Sequence, residues 1–155
     1  MGSIAVTDHN RLSSAVRFIK AANKAGIRPI IGCEVTLQGN FHLTLLCKDK
    51  TGYKNLCAVL TKAYLENKRG FPAVDLNALV LNKEGLFVLS GCRRGLIPSL
   101  ILRKKFEEAK ETARHYKHTF GQDSFFIELS ESLLPGSMVL NKMLSELAKE
   151  LNLKC

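Results

Sequence analysis

No apolar run in this sequence approaches the ~20 residues that a membrane span needs. Residues 1–10 carry no basic opening segment, and their apolar stretch is broken at Thr7-Asp8-His9, which excludes a signal peptide. An intracellular, cytoplasmic location is the expectation, with no membrane partner. Cysteine is present, at Cys33, Cys47, Cys57, Cys92 and Cys155, but the count is odd, the spacings are wide and no CxxC occurs. That pattern argues against a disulfide framework and against a four-cysteine zinc site. A buried small hydrophobe is the ordinary reading of each cysteine. Also missing are a Gly-rich phosphate loop, a GxSxG elbow and an HExxH pair. Tyr53, Tyr64 and Tyr116 are scattered and make no base-stacking platform. There is no internal repeat and no low-complexity linker.

What is there fits one domain. The chain has 155 residues, and folding at this length buries roughly 68–70% of the unfolded surface. An apolar share of 46% and a charged share of 24% are ordinary for a globular protein, so disorder, coiled coil and collagen are excluded. Charge is the unusual quantity: 23 Lys and Arg against 14 Asp and Glu give a net +9. Such a balance favours phosphate-rich partners, nucleic acid or phosphorylated substrates. The basic residues fall in separate spots (Lys48/Lys50/Lys54, Lys68/Arg69, Arg93/Arg94, Arg103/Lys104/Lys105), as on a folded surface.

Periodicity predicts strands at 3–8, 28–35, 42–47, 85–90 and 124–130, with the first of them buried. Asn10 is the expected cap of a helix over about 12–25, with Leu12, Ala15, Val16, Ile19 and Ala22 on its apolar face and Gly26 as its stop. A longer helix is expected over 51–68, with Leu56, Val59, Leu60, Ala63 and Leu65 inward. Gly70-Phe71-Pro72 breaks the pattern. Asp75 is read as the cap of a short helix over 76–81. Further helices are predicted over 97–102, 105–120 and 138–151, and residues 153–155 read as the start of another strand. Strand then helix, about five times over, argues for an α/β fold with a mainly parallel sheet, open or barrel-like. In such folds chemistry collects where strands give way to loops.

Metal-capable side chains fall near those boundaries: Asp8 and His9 after the first strand, Glu34 beside Cys33 after the second, Cys92 after the fourth and Glu128 within the fifth. Carboxylate, imidazole and thiolate together suit divalent metals such as zinc or manganese, and a metal ion that acidifies water can open a phosphate ester. Spacing alone leaves the alternative standing, a helix cap plus a satisfied histidine. His42 opens a strand instead of closing one, and His115 and His118 on a helix read as ordinary exposed positions.

The strings IAVTDHN, AGIRPIIGCEV, HLTLLCKDKTGYKNL and LFVLSGCRRG, in this order, resemble the polymerase-and-histidinol-phosphatase (PHP) domain of bacterial DNA polymerase III alpha subunits. The resemblance covers residues 4–155. SGCRRG and the FFIEL…LLPG stretch look more like the error-prone, translesion branch than the replicative one. The resemblance implies an incomplete, distorted (β/α)7 barrel with about five β/α units present. It implies divalent metal ions (zinc, manganese or magnesium) held by His9, Glu34, His42 and Cys92, with Asp8 bordering the site without being a ligand. The family's opening His-x-His and closing Asp-x-His strings do not occur in these residues, nor do the polymerase palm carboxylates. The expectation is therefore a partial domain whose metals are weakly held and which is inactive alone. In its parent, a DNA polymerase of replication or repair, it would support the other polymerase domains, contact DNA, or hydrolyse phosphodiesters at a 3′ end. A free-standing PHP phosphatase, such as a histidinol phosphatase, and a non-catalytic basic DNA-contacting module are the rival readings.

Overall fold

The computed structural model describes residues 1–131 and 134–155; Leu133 of the LLPG string lies outside them. In chain order the elements are β1 (Ser3–His9), α1 (Ala15–Lys24), β2 (Arg28–Thr36), β3 (His42–Cys47), α2 (Lys50–Leu65), α3 (Leu76–Leu81), β4 (Leu86–Leu89), α4 (Leu96–Leu102), α5 (Phe106–Phe120), β5 (Phe125–Phe126) and α6 (Ser137–Glu150). The fold is α/β, as the alternation of periods required. The chain forms two compact units, residues 1–40 with 44–87 and residues 41–43 with 88–155, and β3 and β4 contribute to both.

In the first unit the strand order is β1-β2-β3-β4. β1 and β2 are parallel, in a register that sets Asp8 opposite Cys33 and His9 opposite Glu34. β2 and β3 are neighbours joined by only five residues. A parallel crossover takes a dozen or more, so β3 returns antiparallel. The mainly parallel reading thus fails at β3: the Gln38-Gly39-Asn40 turn is a hairpin connection, with φ of +89° at Gly39 and +65° at Asn40. β1 was expected to be buried, yet along it only Val6 and Asp8 are even half-buried. It stands last in the strand order and has one neighbour to cover it.

Helix α1 begins at Ala15 with Ser14 as its N-cap, not Asn10. The carboxylate of Asp8 accepts the Ser14 amide at 3.0 Å and its hydroxyl at 2.6 Å, supplying the cap from the preceding strand. Asn10 instead ends β1 with φ of +54°. Asp49 caps α2 by accepting from Gly52 at 2.9 Å, and Asp75 caps α3 from Asn77 at 3.2 Å. Leu56, Val59, Leu60 and Ala63 are buried on α2. Leu65 is 80% exposed, because two residues past Ala63 the helix has turned ~200° away from the core. Val16 on α1 is exposed for a related reason, one residue off the Ala15–Ala22 face.

The second unit has strand order β3-β4-β5, with β4 and β5 parallel. Tyr116 and Phe120 of α5 pack edge-on with each other and Tyr116 with Phe125 of β5, at centroid separations of 5.7 and 5.6 Å. β5 is only two residues long. The backbone beyond it finds other partners: the Ile127 amide donates to Lys154 and the Glu128 amide to the Ser90 hydroxyl, both at 2.9 Å. Lys154 bridges Phe126 in parallel, so the strand start expected at 153–155 is present as a single bridge. Helix α6 is tied to α5 by Lys110–Glu150 at 2.9 Å. Among the described residues no helix is long and apolar enough to cross a membrane.

Candidate metal centre

The structure brings the four expected ligands together as two pairs, one in each unit. The first forms because parallel β1 and β2 set His9 and Glu34 side by side. His9 Nδ1 lies 3.1 Å from Glu34 Oε1, with the two side chains 42% and 24% exposed. The other ring nitrogen, Nε2, lies 2.7 Å from the Thr36 hydroxyl. Asn10 locks this corner: its amide nitrogen donates to Thr36 Oγ1 at 3.1 Å, its side-chain oxygen accepts the Thr36 amide at 2.8 Å, and its own backbone amide donates to Glu34 O at 2.8 Å.

Two donors of one ion with bonds of about 2.0–2.2 Å stand roughly 3–3.5 Å apart at ordinary angles. The His9–Glu34 spacing meets that condition. With Nδ1 given to an ion, Nε2–H donates to Thr36 Oγ1, the kind of outer partner that fixes ring tautomer and tilt. Thr36 and Asn10 were not singled out in the sequence as site residues. Thr36 was accessible to strand periodicity, since it lies two residues beyond Glu34 on the same face. Asn10 was not, because its role depends on a left-handed backbone turn.

The second pair is His42 and Cys92. His42 opens β3, is 2% exposed, and donates its backbone amide to Arg94 O at 3.1 Å. Its Nδ1 lies 3.5 Å from Cys92 Sγ. A nitrogen at about 2.0–2.1 Å and a sulfur at about 2.3 Å from one ion are separated by roughly that distance. The loop after β4 makes this approach possible through its glycines. A Cβ on Gly91 would collide with the His42 carbonyl, and one on Gly95 with the Ser90 carbonyl. Gly91 also holds φ of +82°. The string SGCRRG is therefore a backbone mould for Cys92 against His42.

The remaining candidates are used otherwise. Hydrogen bonds from Ser14 hold the Asp8 carboxyl below its ordinary range, and they engage it with α1. Cys33 is fully buried, its thiol donates to Asp8 O at 3.1 Å, and burial pushes its pKa up to about 12. It is a core residue. Glu128 lies past β5 instead of within it. His115 and His118 are exposed on α5, as expected of them.

Known proteins resemble the chain along nearly all of its length. Three relatives illustrate it. The chain is 44% identical to the error-prone DNA polymerase of Symbiobacterium thermophilum, over 99% of this chain and 16% of that protein. It is 38% identical to the DNA polymerase III subunit alpha of Borreliella burgdorferi, over 97% of this chain and 14% of that protein. To the Thermus aquaticus subunit alpha it is 37% identical, again over 97% and 14%. The chain thus spans about one-seventh to one-sixth of the length of these curated relatives. The PHP domain family matches residues 1–132. With most of the chain inside that match and both donor pairs built from its strand ends, the chain belongs to the PHP domain family, in the form carried by DNA polymerase III alpha-type polymerases.

Proposed function

We propose that this PHP domain is a metal-dependent phosphodiester-hydrolysing and supporting module of a DNA polymerase III alpha-type enzyme, of the error-prone branch, acting on DNA in the cytoplasm during replication or repair. The observation that carries the reading is the His9–Glu34 pair, 3.1 Å apart with Thr36 on the second ring nitrogen. His42 with Cys92 supplies the matching nitrogen–sulfur pair. The branch assignment is supported by 44% identity to an error-prone polymerase against 38% and 37% for the two alpha subunits cited above. The bacterial polymerases among those relatives support the cytoplasmic setting, and their remaining domains are the expected neighbours.

A divalent ion at such a site polarises a phosphoryl oxygen and lowers the pKa of water. The protein's own part is orientation. Glu34 supplies negative charge, His9 a directed imidazole held by Thr36 and Asn10, and Cys92 a thiolate donor set by the Gly91–Gly95 loop. In this reading the 155 residues on their own bind metal weakly and turn over little. Equilibrium dialysis with Mn²⁺ and with Zn²⁺ tests the reading. Binding in the wild-type chain should weaken at least tenfold in Glu34→Ala and in Cys92→Ala. Grafted into the Symbiobacterium thermophilum polymerase in place of the matching segment, the chain should support Mn²⁺-dependent removal of a 3′ nucleotide that Glu34→Ala abolishes. Metal binding indifferent to both substitutions would overturn the proposal.

A further inference from the structure

Beside the His9–Glu34 pair runs a groove of about 290 Å³, lined by Asn10, Thr36, Asn40, Gly70, Phe71 and Pro72 among others. Its lining includes the pair's own support, since Thr36 Oγ1 lies 2.7 Å from His9 Nε2. Part of its lining is an aromatic ring facing solvent: Phe71 is 71% exposed. Lys68 Nζ stands 5.8 Å from the centre of that ring, and Arg69 beside it is also exposed.

The ring is carried on a fastened loop. Asn67 donates through its side-chain amide to Ala63 O at 2.8 Å and Ala73 O at 2.9 Å, clasping both ends of the segment. The Phe71 amide donates to Lys68 O at 2.9 Å. Val74 bonds the end of β2 in both directions, donating to Thr36 O at 2.7 Å and accepting from Gln38 at 3.1 Å. The same strand end that positions His9 therefore also anchors the loop that presents Phe71. Gly39 and Gly70, with φ of +89° and +86°, line the groove without a side chain.

We infer that this groove is the nucleobase subsite of the metal centre: a terminal nucleotide stacks its base on Phe71 while its phosphate lies at the His9–Glu34 pair. The inference rests on the phosphodiester reading above, which already takes a 3′ nucleotide as substrate, and adds to it the residue that holds the base. Every base has a π-face, so an aromatic platform accepts any of the four without reading sequence. Lys68 and Arg69 supply positive charge for the adjoining backbone. One small groove with one ring holds one base.

NMR titration of the wild-type chain in excess Zn²⁺, a diamagnetic ion suited to imidazole and carboxylate donors, compares deoxyadenosine 5′-monophosphate with 2-deoxyribose 5-phosphate. Stacking predicts that the nucleotide binds roughly 5- to 100-fold more tightly. Phe71→Ala should erase that preference and leave the sugar phosphate unchanged, while Phe71→Tyr should retain it. Truncation at so exposed a ring leaves the core intact, and an unchanged thermal melt checks this. Equal affinity for the two probes, or a preference that survives Phe71→Ala, overturns the subsite and leaves the metal centre standing. Failure of both probes to bind overturns the subsite and the phosphodiester reading together. Loss of sugar-phosphate binding in Glu34→Ala supports the shared location.

Discussion

At the scale of single residues, burial separates side chains of identical chemistry. Cys33 and Cys92 both lie close to candidate ligands in the sequence, but Cys33 has no exposure and its thiol, raised to about 12, cannot ionise near neutral pH. Cys155 is exposed. Desolvation raises the Cys155 thiol as well, but it stays exposed, so iodoacetamide at pH 8, read by mass spectrometry, should modify Cys155 in the folded protein and Cys33 only after denaturant is added. Tyr116 gives a pH prediction. Burial raises its pKa above the ordinary 10.0, because the interior disfavours the phenolate. A raised pKa contributes stability that is complete below the unfolded value and is lost as pH rises toward the folded one. Stability should therefore fall above about pH 10, and Tyr116→Phe, which keeps both edge-on ring contacts, should make that fall shallower in denaturant titrations. An equal slope in the two proteins would assign the alkaline loss to other groups.

At the scale of elements, caps and close backbone contacts decide where helices start and what they touch. Asp49 caps α2, and the following turn packs its Gly52 against Gly85 so closely that a Cβ on either would strike the other's backbone. Asp49→Ala should cost about 0.5–2 kcal/mol in urea denaturation. Gly85, at φ of +73°, carries a strain penalty besides the collision, and Gly85→Ala should cost about 1–3 kcal/mol. If Gly85→Ala melts with the wild type, the α2–β4 contact is looser than the geometry states. Asp49, Asp75 and Gly26 act where local rules place caps and stops, because those devices involve only neighbouring residues. Asn10 departs from its expected role because Asp8, from the strand before, reaches Ser14 first.

At the scale of the whole molecule, the opposing quantities are an exposed apolar edge and a net charge of +9. β1 pairs with β2 and stands at the end of the strand order, with Ile4 41% exposed. Such an edge is a template for pairing with another copy of the chain. Like-charge repulsion keeps copies apart at low salt, and at 1 M salt the screening length falls to about 3 Å. Size-exclusion chromatography should show association rising with both protein concentration and salt. Ile4→Lys, which charges the edge, should restore a single monomer peak. Elution as a monomer under every condition would mean that the edge is protected by the twist or by β1's polar residues.

Periodicity and local chemistry sufficed for the α/β alternation, for nearly every helix and for the donor types at the strand ends, because each depends on residues a few positions apart. His42 as a ligand came from resemblance to the PHP family, not from spacing. Only the tertiary structure decided that β3 turns back antiparallel, that Cys33 is buried while Cys92 faces His42, and that Asn10 and Thr36 hold the His9 ring. It also decided that Phe71, a loop residue with no periodic signal, lines one groove with Thr36, the partner of His9. Each of these depends on a register between strands or a contact across tens of residues, and neither is written in any local window of the chain.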